Sequence, residues 1–303
     1  MMRFTGTGTA LITPFCEAGV DYASMGRMID WQIGSGVDFL VVLGTTGEAP
    51  SVSDGERQKI VAFAVNRAAG RLPVVVGTGG NSTEHAIRYC REAETLGADG
   101  VLVVTPYYNK PSQEGLFRHY EAIAGSCNLP VVAYNVPGRT GVNMLPATVR
   151  RLADLPGVVG LKEACGNLAQ AEETLLLLAD VRPGFAVLSG NDDQTFHIVN
   201  AGGHGVISVL SNIAPRQTAE MVRAGLAGDV AGARALHRAF FPLVKALFAE
   251  TNPMPVKYAA SRLGLCENRL RLPLVEASES CMLFVDAELD RCGLIEAQEA
   301  LIA

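Results

Sequence analysis

Eight short apolar runs recur along this 303-residue chain, each separated from the next by enough residues for a helix, and no other feature restricts the fold so tightly. They begin near Thr9 (TALITP), Phe39 (FLVVLGTT), Pro73 (PVVVGTG), Gly100 (GVLVVTPYY), Pro130 (PVVAYN), Val158 (VVGLKEA), Phe185 (FAVLSGND) and Gly205 (GVISVLSN). They read as continuous Val, Ile and Leu, the pattern of strands buried on both faces in a parallel sheet covered by helices. The stretches between them carry helix starts. Ser53-Asp54-Gly55-Glu56 has the form of a capping box, and Asn81-Ser82-Thr83-Glu84 offers an acceptor with a glutamate three residues on. Eight alternating units predict an α/β chain folded as a (β/α)8 TIM barrel over residues 1–225. Beyond residue 215 the strand signal stops, and helices are expected near 215–227, 230–250, 255–263 and 286–301. Residues 226–303 therefore read as a C-terminal helical appendage on the barrel.

The competing architecture is an open doubly wound sheet, which would place a Gly-rich nucleotide fingerprint between the first strand and helix. That position holds Thr13-Pro14-Phe15. Gly44-Thr45-Thr46-Gly47 and Gly77-Thr78-Gly79-Gly80 complete neither GxGxxG nor a phosphate loop, and read as tight strand-to-helix turns, so no cofactor is expected. A formal charge of −6 gives no footprint for nucleic acid or anionic membranes. No apolar stretch approaches the roughly 20 residues of a membrane span. The start, Met1-Met2-Arg3-Phe4, shows no export signal. Seven scattered cysteines without a CxxC pair argue against a disulfide framework or structural zinc, and a cytoplasmic location is expected.

In a barrel of this kind the C-terminal strand ends face the active site. The residues closing the apolar runs are Thr13, Thr45, Thr46, Thr105, Tyr107, Tyr108, Tyr134, Asn135, Lys162, Glu163, Ser189, Asn191, Asp192 and Ser208, a set rich in hydroxyls. Of five lysines, only Lys162 lies inside an apolar strand segment. Alternation places Val158, Gly160 and Lys162 on one face and Val159, Leu161 and Glu163 on the other, with Gly160 leaving room beneath the lysine stem. An interior lysine without a committed carboxylate loses basicity by desolvation and becomes a nucleophile toward a carbonyl. A lysine reaching out to solvent, or paired with Glu163, is the plainer alternative. Tyr134 shares a face with Val132 and, on a neighbouring strand, delivers a phenol beside Lys162, unless it is simply a core tyrosine.

The segments Gly44–Glu48 (GTTGE), Thr105–Gly115 (TPYYNKPSQEG), Tyr134–Gly141 (YNVPGRTG), Gly160–Ala164 (GLKEA) and Gly203–Ser208 (GHGVIS), with Asn252–Lys257 (NPMPVK) and Arg271–Leu274 (RLPL) in the tail, resemble the dihydrodipicolinate synthase family. This family is part of the pyruvate-dependent class I aldolase and N-acetylneuraminate lyase superfamily, and the resemblance covers nearly the whole chain. It implies a Schiff-base lyase that condenses pyruvate with L-aspartate-4-semialdehyde in diaminopimelate and lysine biosynthesis. Lys162 would form an imine with pyruvate. An iminium acidifies the adjacent methyl group because the developing carbanion is delocalised onto nitrogen, so no metal is required. The resemblance further assigns Tyr134, Thr45 and Tyr108 to a hydroxyl proton relay, with Tyr108 supplied across a subunit interface, and so implies a homo-oligomer, a tetramer built from dimers. Thr46 would hold the pyruvate carboxylate, Gly190 and Ile207 would give backbone contacts near the imine, and Arg139 would grip the semialdehyde carboxylate.

The Pro-Gly-Arg-Thr-Gly run speaks against an N-acetylneuraminate or keto-deoxy-sugar-acid lyase, because such relatives typically lack the arginine. A noncatalytic small-molecule-binding barrel is the reading from another class. Other polar groups read as structural: His204 as a turn residue, Asp192-Asp193 as a helix N-terminal cap, and Glu163 as facing away from the interior. Many family members are inhibited by lysine at the dimer interface. The matching positions here are Asp54, Arg57 and His85, with Asn81 and Tyr107 retained, so the pattern is broken and weak or absent inhibition is expected.

Overall fold

The computed structural model describes residues 4–179, 182 and 184–295. Eight parallel strands close into a barrel: β1 (Gly6–Ala10), β2 (Phe39–Val42), β3 (Val74–Gly77), β4 (Gly100–Val104), β5 (Val131–Asn135), β6 (Val158–Glu163), β7 (Ala186–Ser189) and β8 (Gly205–Ser208), with β8 and β2 flanking β1. The helices that follow them in turn are α1 (Tyr22–Gly34), α2 (Asp54–Ala68), α3 (Thr83–Thr95), α4 (Gln113–Ala124), α5 (Pro146–Leu152), α6 (Leu168–Leu178), α7 (Thr195–Asn200) and α8 (Pro215–Leu226). The appendage adds α9 (Val230–Leu247), α10 (Met254–Arg262) and α11 (Glu279–Arg291).

Strand alternation divides the apolar residues between two cores. Val41, Val75, Leu102, Val132, Leu188 and Ile207 fill the barrel, while Leu40, Val42, Val74, Val103, Leu161 and Val187 pack outward under the helices. Phe4 and Phe39 pack together in the interior core, ring centroids 5.6 Å apart. Gly8 and Gly100 make this possible: a Cβ at either would lie 2.2 Å from the Phe39 ring or 2.6 Å from the Phe4 ring. Ser53 and Glu56 form the expected capping box on α2.

Several sequence expectations are corrected. β1 starts at Gly6, three residues early, because Gly6–Gly8 carry backbone pairing without apolar side chains. α3 is capped by Ser82, which accepts the His85 N–H, and not by Asn81. The last helix spans Glu279–Arg291 instead of starting at residue 286. Ser278 caps it, Gly293 follows it with φ 63°, and the expected stretch 296–301 lies outside the described residues. A bulge between Val131 and Val132 takes up an extra residue of β6, so Val158 packs in the outer core and Val159 against the inner one, the reverse of simple alternation. From Gly160 onward the expected faces hold.

Polar contacts, one of them fully buried, fasten the appendage to the turn after β2 and to the start of α2. The Lys257 ammonium pairs with the Glu48 carboxylate at 2.5 Å, both side chains essentially without solvent exposure. Arg271 makes a two-pronged contact with Glu56 and donates its backbone N–H to Glu48. Among the described residues no helix is long and apolar enough to cross a membrane, and all seven cysteines are free.

Candidate active site

Tyr134 on β5 pairs in register with Lys162 on β6, and the Lys162 Nζ lies 4.5 Å from the centre of the phenol ring. Both side chains are buried, and among the described residues no carboxylate forms an ion pair with Lys162. Desolvation pulls its basicity down, the negative charge of Asp192 opposes that, and Arg139 adds to it; the result is a pKa of about 8. Burial pushes the Tyr134 phenol above its ordinary value, against the pull of Arg139 and the neighbouring Thr45 hydroxyl. Glu163 is not the lysine's partner. It points outward, accepting from the Asn135 and Gln170 amides and the Cys165 N–H.

The residue that gives the lysine stem its space is Gly190, not Gly160. A Cβ at Gly190 would sit 3.0 Å from Lys162 Cε, whereas one at Gly160 would meet the Ala186 carbonyl at 2.8 Å. Gly160 thus lets β6 and β7 approach, and Gly190 lets the lysine pass. Ile207 is buried in the barrel interior close by.

A cavity of about 550 Å³ opens over the strand ends, with Thr45, Tyr107, Tyr134, Arg139 and Asn252 in its wall. Thr46 is buried and accepts a 2.9 Å hydrogen bond from the Asn252 side-chain amide, while an Arg139 Nη donates to the Asn252 carbonyl at 3.1 Å. Asn252, from the segment joining α9 to α10, therefore holds two of the predicted binding residues. Sequence reasoning placed it in a motif and gave it no role, because contacts across such separations leave no local pattern. Tyr108 is not brought into this site by its own chain: it is 88% exposed, with φ 71°. The cavity continues to Arg57, Ser82, His85 and Tyr89.

Asp192 is a further correction. It does not cap its own helical turn; its carboxylate accepts from the Ser208 hydroxyl and from the Val209 and Leu210 N–H groups at the end of β8. His204 is structural as expected, its Nδ1 accepting the Val187 N–H. Among the described residues no group of three His, Cys, Asp or Glu side chains is placed to hold a metal ion.

A barrel carrying a buried strand-end lysine of lowered basicity beside a phenol defines the class of imine-forming (β/α)8 lyases. Within that class the chain belongs to the dihydrodipicolinate synthetase family, which it matches over residues 3–291. It is 56% identical to the 4-hydroxy-tetrahydrodipicolinate synthase of Kosmotoga olearia, over 96% of this chain and 99% of the relative. The crystal structure of dihydrodipicolinate synthase from Thermotoga maritima superposes with a TM-score of 0.95 at 50% identity, covering 96% of this chain and 99% of that one. A structure described as the first monomeric dihydrodipicolinate synthase variant matches with the same score and identity, over 96% and 97%.

Proposed function

We propose that this chain is a 4-hydroxy-tetrahydrodipicolinate synthase that condenses pyruvate with L-aspartate-4-semialdehyde through an imine on Lys162, serving diaminopimelate and lysine biosynthesis. The observation that carries this reading is the in-register Tyr134–Lys162 pair at the barrel mouth, with Arg139 and the Asn252-bound Thr46 beside it. A lysine of pKa about 8 keeps a reactive minority of neutral amine near physiological pH, far more than a lysine of ordinary pKa would, and that fraction can attack the keto carbon. Loss of water gives the iminium, and loss of a methyl proton gives the enamine that adds to the aldehyde.

Tyr134 and Thr45 pass protons along hydroxyls, since a lone phenol of high pKa is a poor base. The exposed Tyr108 completes that relay in a second copy of the chain, so the working form is a homo-oligomer, a tetramer of paired dimers. Thr46 binds the pyruvate carboxylate, with backbone contacts from Gly190 and Ile207, and Arg139 receives the semialdehyde carboxylate. Residues 1–225 form the catalytic barrel, 226–303 a helical region supporting it, and the enzyme works in the cytoplasm.

Borohydride reduction in the presence of pyruvate tests the reading directly. The expected product is one stable pyruvate-mass adduct on the peptide containing Lys162; no adduct, or one on another lysine, overturns the mechanism. A panel of aldehydes then separates the semialdehyde reaction from sugar-acid cleavage.

A further inference from the structure

Asp192 is a buried carboxylate to which the reading above gives no task. Its oxygens accept a 2.6 Å bond from the Ser208 hydroxyl and bonds of 2.8 and 3.1 Å from the Val209 and Leu210 N–H groups. The Ser208 oxygen itself receives the Ser211 N–H, which leaves the Ser208 proton directed at Asp192. Burial pushes the Asp192 carboxyl above its ordinary range, and all three contacts, being donors, oppose that shift and favour the ionised form, as does the positive charge of Lys162. The same segment touches the lysine: Gly190, two residues earlier, abuts the Lys162 stem, and Leu188 is the register partner of Lys162.

We propose that Asp192 is a positioning residue that fixes a negative charge behind Lys162, tying β7 to β8 and stabilising the cation that forms when the lysine becomes an iminium. The proposal rests on the imine reading. In that step the amine nitrogen bonds to the keto carbon, the carbonyl oxygen leaves as water after taking up protons, and one positive charge remains on nitrogen. The charged and titratable groups facing Lys162 are Tyr134 and Arg139 from β5 and the turn after it, and Asp192 from the turn after β7; Glu163 lies on the opposite face of β6. Asp192 is the only anion among them, and its charge opposes the loss of basicity that burial imposes on the amine. A fixed charge in a dry site needs no reorganisation when the iminium appears.

The test compares Asp192→Asn, which keeps the shape and one acceptor oxygen but removes the charge, with Ser208→Ala, which removes one tie and keeps the charge. For each, the rate of borohydride-trapped pyruvate adduct on Lys162 is measured from pH 6 to 10, alongside a thermal melt. Asp192→Asn is expected to move the acid limb of the trapping profile downward by half a unit or more and to lower turnover at least tenfold. Ser208→Ala should leave the limb within a few tenths of a unit. An unmoved limb in Asp192→Asn, or equal shifts in both variants, overturns the proposal, because a merely structural tie would lower amplitude without changing the limb. If Asp192→Asn does not fold, Asp192→Glu must retain the parent limb, and a downward shift there overturns the proposal too. Failure of the parent protein to trap pyruvate on Lys162 would count against the imine reading and is told apart by that control.

Discussion

The Asn252 side-chain amide donates to the Thr46 hydroxyl across 206 positions of sequence, and the same residue's carbonyl accepts from Arg139. One residue of the appendage thus sets the orientation of both groups proposed to hold substrate carboxylates. Asn252→Ala leaves the Thr46 hydroxyl without its donor in a buried setting, a loss of about 1–3 kcal/mol. The expected result is a fall in kcat/KM of about tenfold or more, carried mainly by KM for pyruvate, together with a melting temperature lowered by a few degrees. Steady-state kinetics with each substrate varied separately measure it.

Arg139→Ala should behave differently. The guanidinium stands at the cavity wall, and removing it takes a positive charge away from Lys162 and Tyr134 without disturbing either backbone. Turnover with the semialdehyde is expected to drop by two orders of magnitude or more while the pyruvate adduct on Lys162 still forms. Mass spectrometry after borohydride treatment, run beside the coupled assay, separates the two effects, and equal loss of both would make Arg139 structural.

Lys162 is held at a cost to stability. Its pKa falls from 10.5 to about 8 on folding, so below about pH 8 the native state carries a charged amine in a dry site that the unfolded chain does not. The penalty shrinks as pH rises through 8, where the native amine loses its proton, and is gone above 10.5. Lys162→Met is therefore expected to abolish activity and raise stability at pH 7 by on the order of 2 kcal/mol, with the gain fading toward pH 10. Urea unfolding across that range checks the sign.

How far these features could be read from sequence follows from the range of the interaction behind each. The eight strands were visible because double burial writes a run of Val, Ile and Leu locally, and the faces of Tyr134 and Lys162 followed from alternation. The faces of Val158 and Val159 did not, because a one-residue bulge leaves no mark in composition. Asp192 looked like a helix cap because capping is the local use of an aspartate, whereas its actual partners are the Ser208 hydroxyl and the N–H groups of Val209 and Leu210, on the next strand's end. Asn252 and the Gly190 clearance were illegible for the same reason.

Glu48 and Lys257 give a prediction about the appendage. Their ion pair is fully enclosed, with the Phe15 ring 4.0 Å from the ammonium and the Arg269 carbonyl as a further acceptor. Removing one partner strands a buried charge. Glu48→Gln is expected to destabilise the protein by about 3–5 kcal/mol, while Glu48→Gln combined with Lys257→Met should recover most of that loss. A double-mutant cycle by denaturant titration decides it, and additive losses would show that the two residues do not act as a pair.

Feedback by lysine should be weak. The far end of the cavity holds Arg57, buried, donating to the Gly77 carbonyl and stacked 4.1 Å over the Tyr89 ring. Of the carboxylates whose charge reaches Arg57, Glu92 acts more strongly and accepts from the Gln58 amide, and Asp54 is taken by the Arg88 guanidinium and the Tyr89 hydroxyl. His85 contributes no negative charge, and its backbone N–H goes to Ser82. An incoming ammonium group therefore meets a fixed cation, and the one carboxylate among the described residues of the cavity wall, Glu48, is already paired with Lys257, an unfavourable setting wherever screening is poor. Steady-state rates across a lysine titration are expected to stay within a factor of two up to millimolar concentrations. Arg57→Glu, which reverses the buried charge, should make any residual inhibition stronger. Saturable micromolar inhibition of the parent enzyme would mean that the ammonium is received by another group in this cavity.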